Sequence, residues 1–504
     1  MSCPCDTTTC GETLPTAGLE GVAEQIRKEF AEQTGGPAPV DPPAPPRPVR
    51  KKISQETFDE VVDENVEEFA MDLDEAMRDA CAQFEQQGVD ISALVTTVEG
   101  REKSEQVKVY VAKLDELLKA EEDGDLVGLL EDLSNICRAG DVERVTAGKL
   151  GAVGAAAFVC KKHVDDKRAV VAALNFLGVV LKTFDNREII PLKGAQALQH
   201  CLEQYKDCPV VQSAGFSAIT QAISKHEGNK RAFKDVGINT SVLTCLHAHQ
   251  ESRDTFIAVS RFLRVYLSDD DRRPGVSPGT FTRARELGED YEAGAVRPLV
   301  DFVAKEGTLS DEKLVSASFA TIKAVAVNDL ICKQFANKGG LEVALLAFEA
   351  HITDETVAAN GCMLLKAVTR NDDIKRTVGK GKGLGLLLRA LDEHMASSRV
   401  VEQALACLSV LCLRQPGNCE TIANLGCLQL IISSMTRHAD IASVQRPAIC
   451  TLRNMVSSWQ NKELCSRILD EGAEPLIRKA KNTHPICDDV AFAALRDLGC
   501  DYHS

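Results

Sequence analysis

The stretch "NKGGLEVALLAF", Asn337–Phe348, sets a Gly-Gly pair directly ahead of an apolar run. Leu341, Val343, Ala344, Leu345 and Leu346 follow the spacing of a buried helix, and glycine lets the backbone turn sharply into it. Related stretches stand elsewhere: "KGAQALQHCL" at Gly194, "VGINTSVLTCL" at Gly237, "AGAVRPLVDFV" at Gly294, "KGLGLLLRAL" at Gly383, "LGCLQLIISSM" at Gly426 and "EGAEPLIRKA" at Gly472. From Gly194 onward, through Gly340, the glycines step by 43, 57, 46, 43, 43 and 46, and a weaker copy, "AGKLGAVGAAAF" at Gly148, lies 46 earlier. Such a period belongs to stacked repeats in which each unit buries its apolar flank against the next.

Each copy has three parts. Asn186, Asn229, Asn328, Asn371, Asn418 and Asn461 stand where a short first helix would begin, the place where an Asn side chain accepts from unpaired backbone N–H groups. The second helix follows the glycine. A longer third helix reads as "VVEQALACLSVLC" (Val400–Cys412), "SVQRPAICTLRNMV" (Ser443–Val456) and "CDDVAFAALRDLGC" (Cys487–Cys500). Short helix, tight turn, helix, loop and long helix is the plan of armadillo repeats; HEAT repeats have two helices. The expected fold is all-α, a right-handed α-solenoid of armadillo repeats over residues 102–502, with an acidic N-terminal helical segment. Helices at Glu102–Ala120 and Asp125–Ala139 are expected to lead into the array. The long step holds an insertion, 268–290, whose polar, charged sequence reads as a solvated edge loop, with a partner-reading loop as the alternative.

Composition narrows the function. An aromatic fraction of 5% and a hydrophobic fraction of 44% suit Leu/Ala/Val-rich helices. The formal net charge is −16, and residues 54–98 carry thirteen carboxylates against Arg78 alone, so −12 of it sits there. That balance disfavours general nucleic-acid binding, although a local basic groove is compatible with it. No apolar run reaches the ~20 residues of a membrane span, and the first residues lack the features of a signal peptide. Cysteines scattered through apolar helical runs, such as Cys362, Cys407 and Cys450, read as reduced core residues of a cytosolic or nuclear protein.

Ahead of the array, 1–52 is expected to be disordered, with the Pro-rich run "GGPAPVDPPAPPRP" at 35–48. Across 53–98, Phe58, Val61, Val62, Val66 and Phe69, then Leu73, Ala76, Met77, Ala80 and Phe84, predict two acidic amphipathic helices. The segment "ISQETFDEVVDENVEEFAMDLDEA...CAQFEQQGVDISALV", the phrase "LSDDDRR" at 267–273 and the C-terminal "CDDVAFAALRDLGC" resemble the armadillo repeat-containing protein 6 family. The resemblance runs from about Lys52 to the C-terminus. It implies an intracellular, non-enzymatic armadillo protein and adds little mechanism.

Peptide-binding armadillo proteins clamp an extended ligand with an Asn repeated on successive third helices. Here Asn454 stands at that position, whereas its equivalents are Ala324, Lys366, Val410 and Asp497. The ladder is broken, which argues against a receptor for nuclear-localisation signals, and the paired Trp residues of such receptors are missing, Trp459 standing after Asn454. The concave face lined by third helices is still the default binding surface, and Lys366, Arg453, Asn454 and Arg496 are its candidate protein-binding residues. The glycine-lysine string 379–385, "GKGKGLG", is read as a repeat turn because it lacks the phosphate-loop pattern. Cys3, Cys5 and Cys10, and likewise Cys245, His247 and His249, do not have metal-ligand spacing. No catalytic constellation stands out, and no enzyme activity, metal or cofactor is expected. The predicted role is a monomeric scaffold for a protein segment, acting in the cytoplasm and also the nucleus; the alternative is an adaptor or chaperone-like factor whose acidic helices make the contact.

Overall fold

A computed structural model describes residues 51–91, 94–120, 125–188, 190, 192–457 and 462–501. The Pro-rich run, the N-terminal cysteines, Trp459 and Asn461 lie outside the described residues. The chain divides into two compact units, one ending at Leu94 and the other running from Val95.

In the first unit, helices Gln55–Phe69 and Leu73–Gln86 form an antiparallel pair's worth of amphipathic surface, each opened by a side-chain cap. Ser54 Oγ accepts from Thr57 N–H, and an Asp72 oxygen accepts from Glu75 N–H. Phe58, Val62, Ala76, Met77, Ala80 and Phe84 are buried together, with the rings of Phe58 and Phe84 6.0 Å apart. Asn65 is buried at the seam and donates to Ala76 O at 3.3 Å. Two expectations are corrected. Phe69 and Leu73, assigned to the apolar stripe, are 63% and 37% exposed, because the chain turns between them through Ala70 at φ 54°. Lys51–Lys52, placed in the unfolded stretch, pair in parallel with Val89–Asp90, the two short strands among the described residues of an otherwise helical chain.

The second unit opens with helices Val98–Ala120 and Leu126–Ala139, close to the expected bounds. Eight repeats follow, at 141–180, 184–223, 227–266, 280–325, 329–368, 372–412, 416–456 and 462–497. Their third helices are Lys167–Val180, Pro209–Ile223, Arg253–Tyr266, Glu312–Val325, Glu355–Val368, Ser398–Cys412, Ala442–Val456 and Asp488–Asp497. Each packs on the third helix before and after it, and the second helices form a parallel series of contacts. The helices stack as in armadillo repeat proteins. One continuous apolar core results, running from Val107 to Leu498, in which Leu405, Leu408 and Leu452 are fully buried. Truncating any one of these to Ala costs about 2–5 kcal/mol.

The punctuation between helices differs in detail from the sequence reading. Positive φ occurs at Gly237, Gly426 and Gly472 as expected, but in two copies it falls on Gly151 and Gly339 instead of Gly148 and Gly340. Gly340 is required for space: a Cβ there would lie 2.5 Å from the Phe335 ring. Asn328 and Asn371 are true N-caps, accepting from the backbone N–H groups of Ile331 and Ile374. Asn186, Asn229 and Asn418 are not; they lie inside their first helices. Their side-chain amides donate to two backbone carbonyls each, both in the repeat before, one at the end of its third helix and one in or at the end of its first: Val180 and Arg144, Ala222 and Arg187, Leu411 and Lys375. A Cβ at Gly148 or Gly379 would collide with the Asn186 or Asn418 side chain.

A second inter-repeat clip was not read from the sequence. The residue closing the second helix reaches back to a carbonyl of the preceding repeat: His249 to Lys206, His351 to Leu309, His394 to Ile352, His438 to Met395 and His484 to Ala439, at 2.6–2.9 Å. A carbonyl only accepts, so the Nε2 of each ring carries the proton. Tyr205 does the same toward Val164 O at 2.7 Å.

The stretch 268–290 is not a solvated loop throughout. It contains helix Thr280–Gly288, the first helix of its repeat, and buries Asp271 and Arg283. Arg283 pairs with Glu227 at 2.6 and 3.1 Å, donates to Tyr266 O at 3.0 Å and stacks over the Tyr266 ring. The Asp271 carboxylate accepts from Glu227 N–H and from the Arg273 guanidinium. Lys230, fully buried, donates to Ser268 O. Composition pointed to solvent because the carboxylate that neutralises Arg283 lies 56 residues earlier in the chain, and the repeat that covers Asp271 is likewise earlier, although the charge partner of Asp271, Arg273, is local.

Candidate functional site

The face of the third helices carries a row of half-buried side chains between repeats. Their last turns repeatedly hold a cation: Arg264, Lys323, Lys366, Arg453 and Arg496. A positive charge there meets the partial negative charge of the helix C-terminus, which is favourable by about 0.3–1 kcal/mol. Most carboxylates of these helices sit in first turns instead, at Asp254, Glu312, Glu355, Asp488 and Asp489; Asp497, at the end of the last helix, is the exception.

At the third, fourth and fifth repeats the cations converge without local compensation. Arg264, Lys323 and Arg370 line a cavity of about 510 Å³ together with Ala320, Ala324, Met363 and Ala367, while Leu267 and, from the insertion, Ser268, Asp269 and Thr280 form one wall. Among the described residues, no carboxylate lies within ion-pair distance of Arg261, Arg264, Lys323 or Arg370. Burial holds the Lys323 ammonium below its ordinary value, and the charges of Lys366 and Arg370 push it the same way. Arg264 is likewise lowered by burial and then by Arg261. Like charges therefore share this surface.

The sequence-derived candidates fall into two places. Lys366 belongs beside the cavity and donates to Gln403 Oε1 on the next third helix at 2.8 Å. Arg453, Asn454 and Arg496 lie farther along the array. Asn454 donates to Ser409 O and Oγ at 3.0 and 3.1 Å, so its amide bridges two helices. Arg453 and Arg496 both point to Asp497, at 3.3 and 2.7 Å, and neighbouring Arg446 pairs with Asp489. Sequence reasoning missed Arg261, Arg264, Lys323 and Arg370. The available signal was a basic residue near the end of each of two consecutive third helices, Arg264 and Lys323, with no acid three or four positions away; Arg370, which has Asp373 three positions on, did not carry it.

The other motifs resolve as structure. The string 379–385 spans the end of helix Asp372–Lys380 and the start of Lys382–Glu393, with no single loop to cradle a phosphate. Cys245 is buried, and burial pushes its thiol up to about 12, while His247 and His249 face the carbonyls of Gly294 and Lys206. Cys362 and Cys407 are fully buried, and burial pushes the Cys407 thiol up to about 12. Among the described residues no three His, Cys, Asp or Glu side chains gather as metal ligands, and no helix is long and apolar enough to cross a membrane. A larger cavity, about 710 Å³, lies between the second helices of the first two repeats; Val153, Ala157, Phe158 and Ala197 line it together with Lys161, Lys193, Gln196 and His200.

Comparison with known proteins agrees with this architecture. Residues 50–110 match the family described as Armadillo repeat-containing protein 6 N-terminal domain. Human Armadillo repeat-containing protein 6 is 29% identical over 308 residues, covering 59% of this chain and 60% of the human protein. The Drosophila melanogaster homolog is 27% identical over 303 residues, covering 58% of this chain and 62% of its own length. The match thus spans about 60% of the length of these curated relatives. A crystal structure of an engineered protein superposes over 77% of this chain and 99% of its own, with a TM-score of 0.51 at 17% identity, which is a likeness of fold.

Proposed function

We propose, for a chain that belongs to the armadillo repeat-containing protein 6 family, that it is a non-enzymatic scaffold holding a segment of a partner protein along the face of its third helices. The observation that carries this reading is the half-exposed row running from helix to helix through Ser217, Arg264, Lys323, Met363 and Lys366, opening into a cavity of about 510 Å³. Stacked repeats characteristically bind ligands along such a surface. Free cysteines at sixteen described positions fit a reducing compartment, the cytoplasm or nucleus. Acting as a monomer, with no nucleic acid or membrane as partner, is part of the same proposal.

Lysine-directed crosslinking and mass spectrometry in cells tests it. Partner crosslinks are expected at Lys323 and Lys366; crosslinks confined to second-helix lysines such as Lys161, Lys193 and Lys382 contradict it.

A second reading rests on the first unit, where Phe69 and Leu73 are exposed amid thirteen carboxylates. There the acidic helices make the partner contact. Removing 54–98 distinguishes the two, because partner loss with the repeats still folded favours the acidic helices.

A further inference from the structure

We infer that the third-helix face of the repeats at 227–368 takes a carboxylate-rich segment of a partner protein, with Arg264, Lys323 and Arg370 as the contact groups. This rests on the scaffold reading and adds the chemistry of the ligand. Three observations support it together. The cluster is basic in a chain of net charge −16, and Arg261, Arg264, Lys323 and Arg370 lack a carboxylate partner among the described residues. Arg264 and Lys323 are half-buried, so an incoming carboxylate meets them with less screening than at an open surface. Asp269 is the one carboxylate among the residues lining the cavity, and the pocket is otherwise floored by Ala320, Ala324, Met363 and Ala367.

That floor defines the ligand further. Packed helices lie about 8–10 Å apart, and an extended chain advances about 3.3 Å per residue. A bound segment therefore moves roughly three residues per repeat, placing an acidic residue near each cation with an apolar one between them over Met363. The same face at 416–497 does not offer this, because Arg446 is already paired with Asp489, and Arg453 and Arg496 share Asp497.

Fluorescence polarisation with the full chain tests the assignment. The probe is a fluorescein-labelled peptide of about ten residues repeating Glu-Glu-Leu, long enough for three repeats; a Lys-Lys-Leu peptide, a phosphoserine peptide and single-stranded RNA are the comparisons. The acidic peptide is expected to bind, to weaken as salt rises, and to lose about tenfold or more in affinity in K323E/R370E. Exposed Arg370→Glu alone should weaken it by a smaller factor, Lys323→Arg should retain it, and Arg389→Glu on a second helix should leave it unchanged. Circular dichroism of each variant verifies the fold, and the Arg370→Glu result decides the matter if the double variant unfolds. Binding of the acidic peptide unaffected by Arg370→Glu and the double reversal overturns the inference, as does tighter binding of RNA or of the phosphoserine peptide. A partner crosslinked to Lys323 while the acidic peptide fails to bind would also overturn it, yet leave the scaffold reading intact.

Discussion

The third helices at 253–368 and those at 442–497 place cations at the same end, and only the second group pairs them with a carboxylate of the stack. Asp497, at the end of the last third helix, pairs with Arg453 and Arg496, while Asp489 pairs with Arg446 nearer the start of these helices, so the cations have partners within the stack. At Arg264, Lys323 and Arg370 no carboxylate lies within ion-pair distance among the described residues, Asp269 being the one acid that lines the cavity, and neighbouring cations remain in mutual repulsion. A helix end favours one cation modestly; it does not remove the repulsion among several. The first group therefore has electrostatic free energy to gain from an anion that the second has already obtained internally.

The insertion helps set this difference, so breaking its anchor should have the largest effect. Arg283→Met leaves the carboxylate of Glu227, 3% exposed, without its partner and should destabilise the fold by about 3–5 kcal/mol. Urea unfolding measures the loss, and a Glu227→Leu/Arg283→Met double variant should recover most of it. Burial by itself raises the Glu227 pKa, but Arg283 and the Gly279 N–H outweigh it, and the carboxyl sits below its ordinary range.

Next is the acid limb of the stability curve. The Arg273 guanidinium, together with two backbone N–H groups, holds Asp271 well below the usual carboxylate range against the opposing effect of burial. A lowered folded-state pKa gives stability that is present above the unfolded value, about 3.9, and is lost as pH falls toward the folded one. Wild type should therefore weaken below about pH 4. Asp271→Asn should lose about 2 kcal/mol at neutral pH and show a shallower acid limb in denaturant titrations at stepped pH.

The inter-repeat clips should have intermediate effects. Asn418→Ala strands two buried carbonyls and should cost about 1–2 kcal/mol, against about 1 kcal/mol for the N-cap change Asn328→Ala. Thermal unfolding ranks the two. The smallest stability change, under about 1 kcal/mol, is expected for Asp489→Asn/Asp497→Asn, since these ion pairs are partly exposed. The same double variant sharpens the contrast: freeing Arg446, Arg453 and Arg496 should create a second salt-sensitive site for the acidic peptide, read as added binding stoichiometry.

Much of the fold was legible in residues that act locally. Apolar spacing located the third helices to within a few residues because burial imposes its period directly on the sequence. Asn418 was misread as a cap because an Asn at the third helical position looks the same in sequence as one just outside the helix. Pro416 was the signal, since proline favours the first helical position and moves Asn418 inward. The insertion differs from its sequence reading because Arg283 finds its carboxylate on Glu227 and Asp271 accepts from the Glu227 N–H, both distant in sequence. Lys366 entered the candidate list through its place in the Asn series. Arg264, Lys323 and Arg370 did not, because their cluster exists only after three repeats are stacked in register.

Hydrogen–deuterium exchange of the full chain with and without the acidic peptide tests the central claim most directly. The account predicts slowed exchange in Arg253–Tyr266, Glu312–Val325 and Glu355–Val368, with Ala442–Val456 and Asp488–Asp497 unchanged. Protection confined to second helices, or equal protection at both ends of the array, would contradict it.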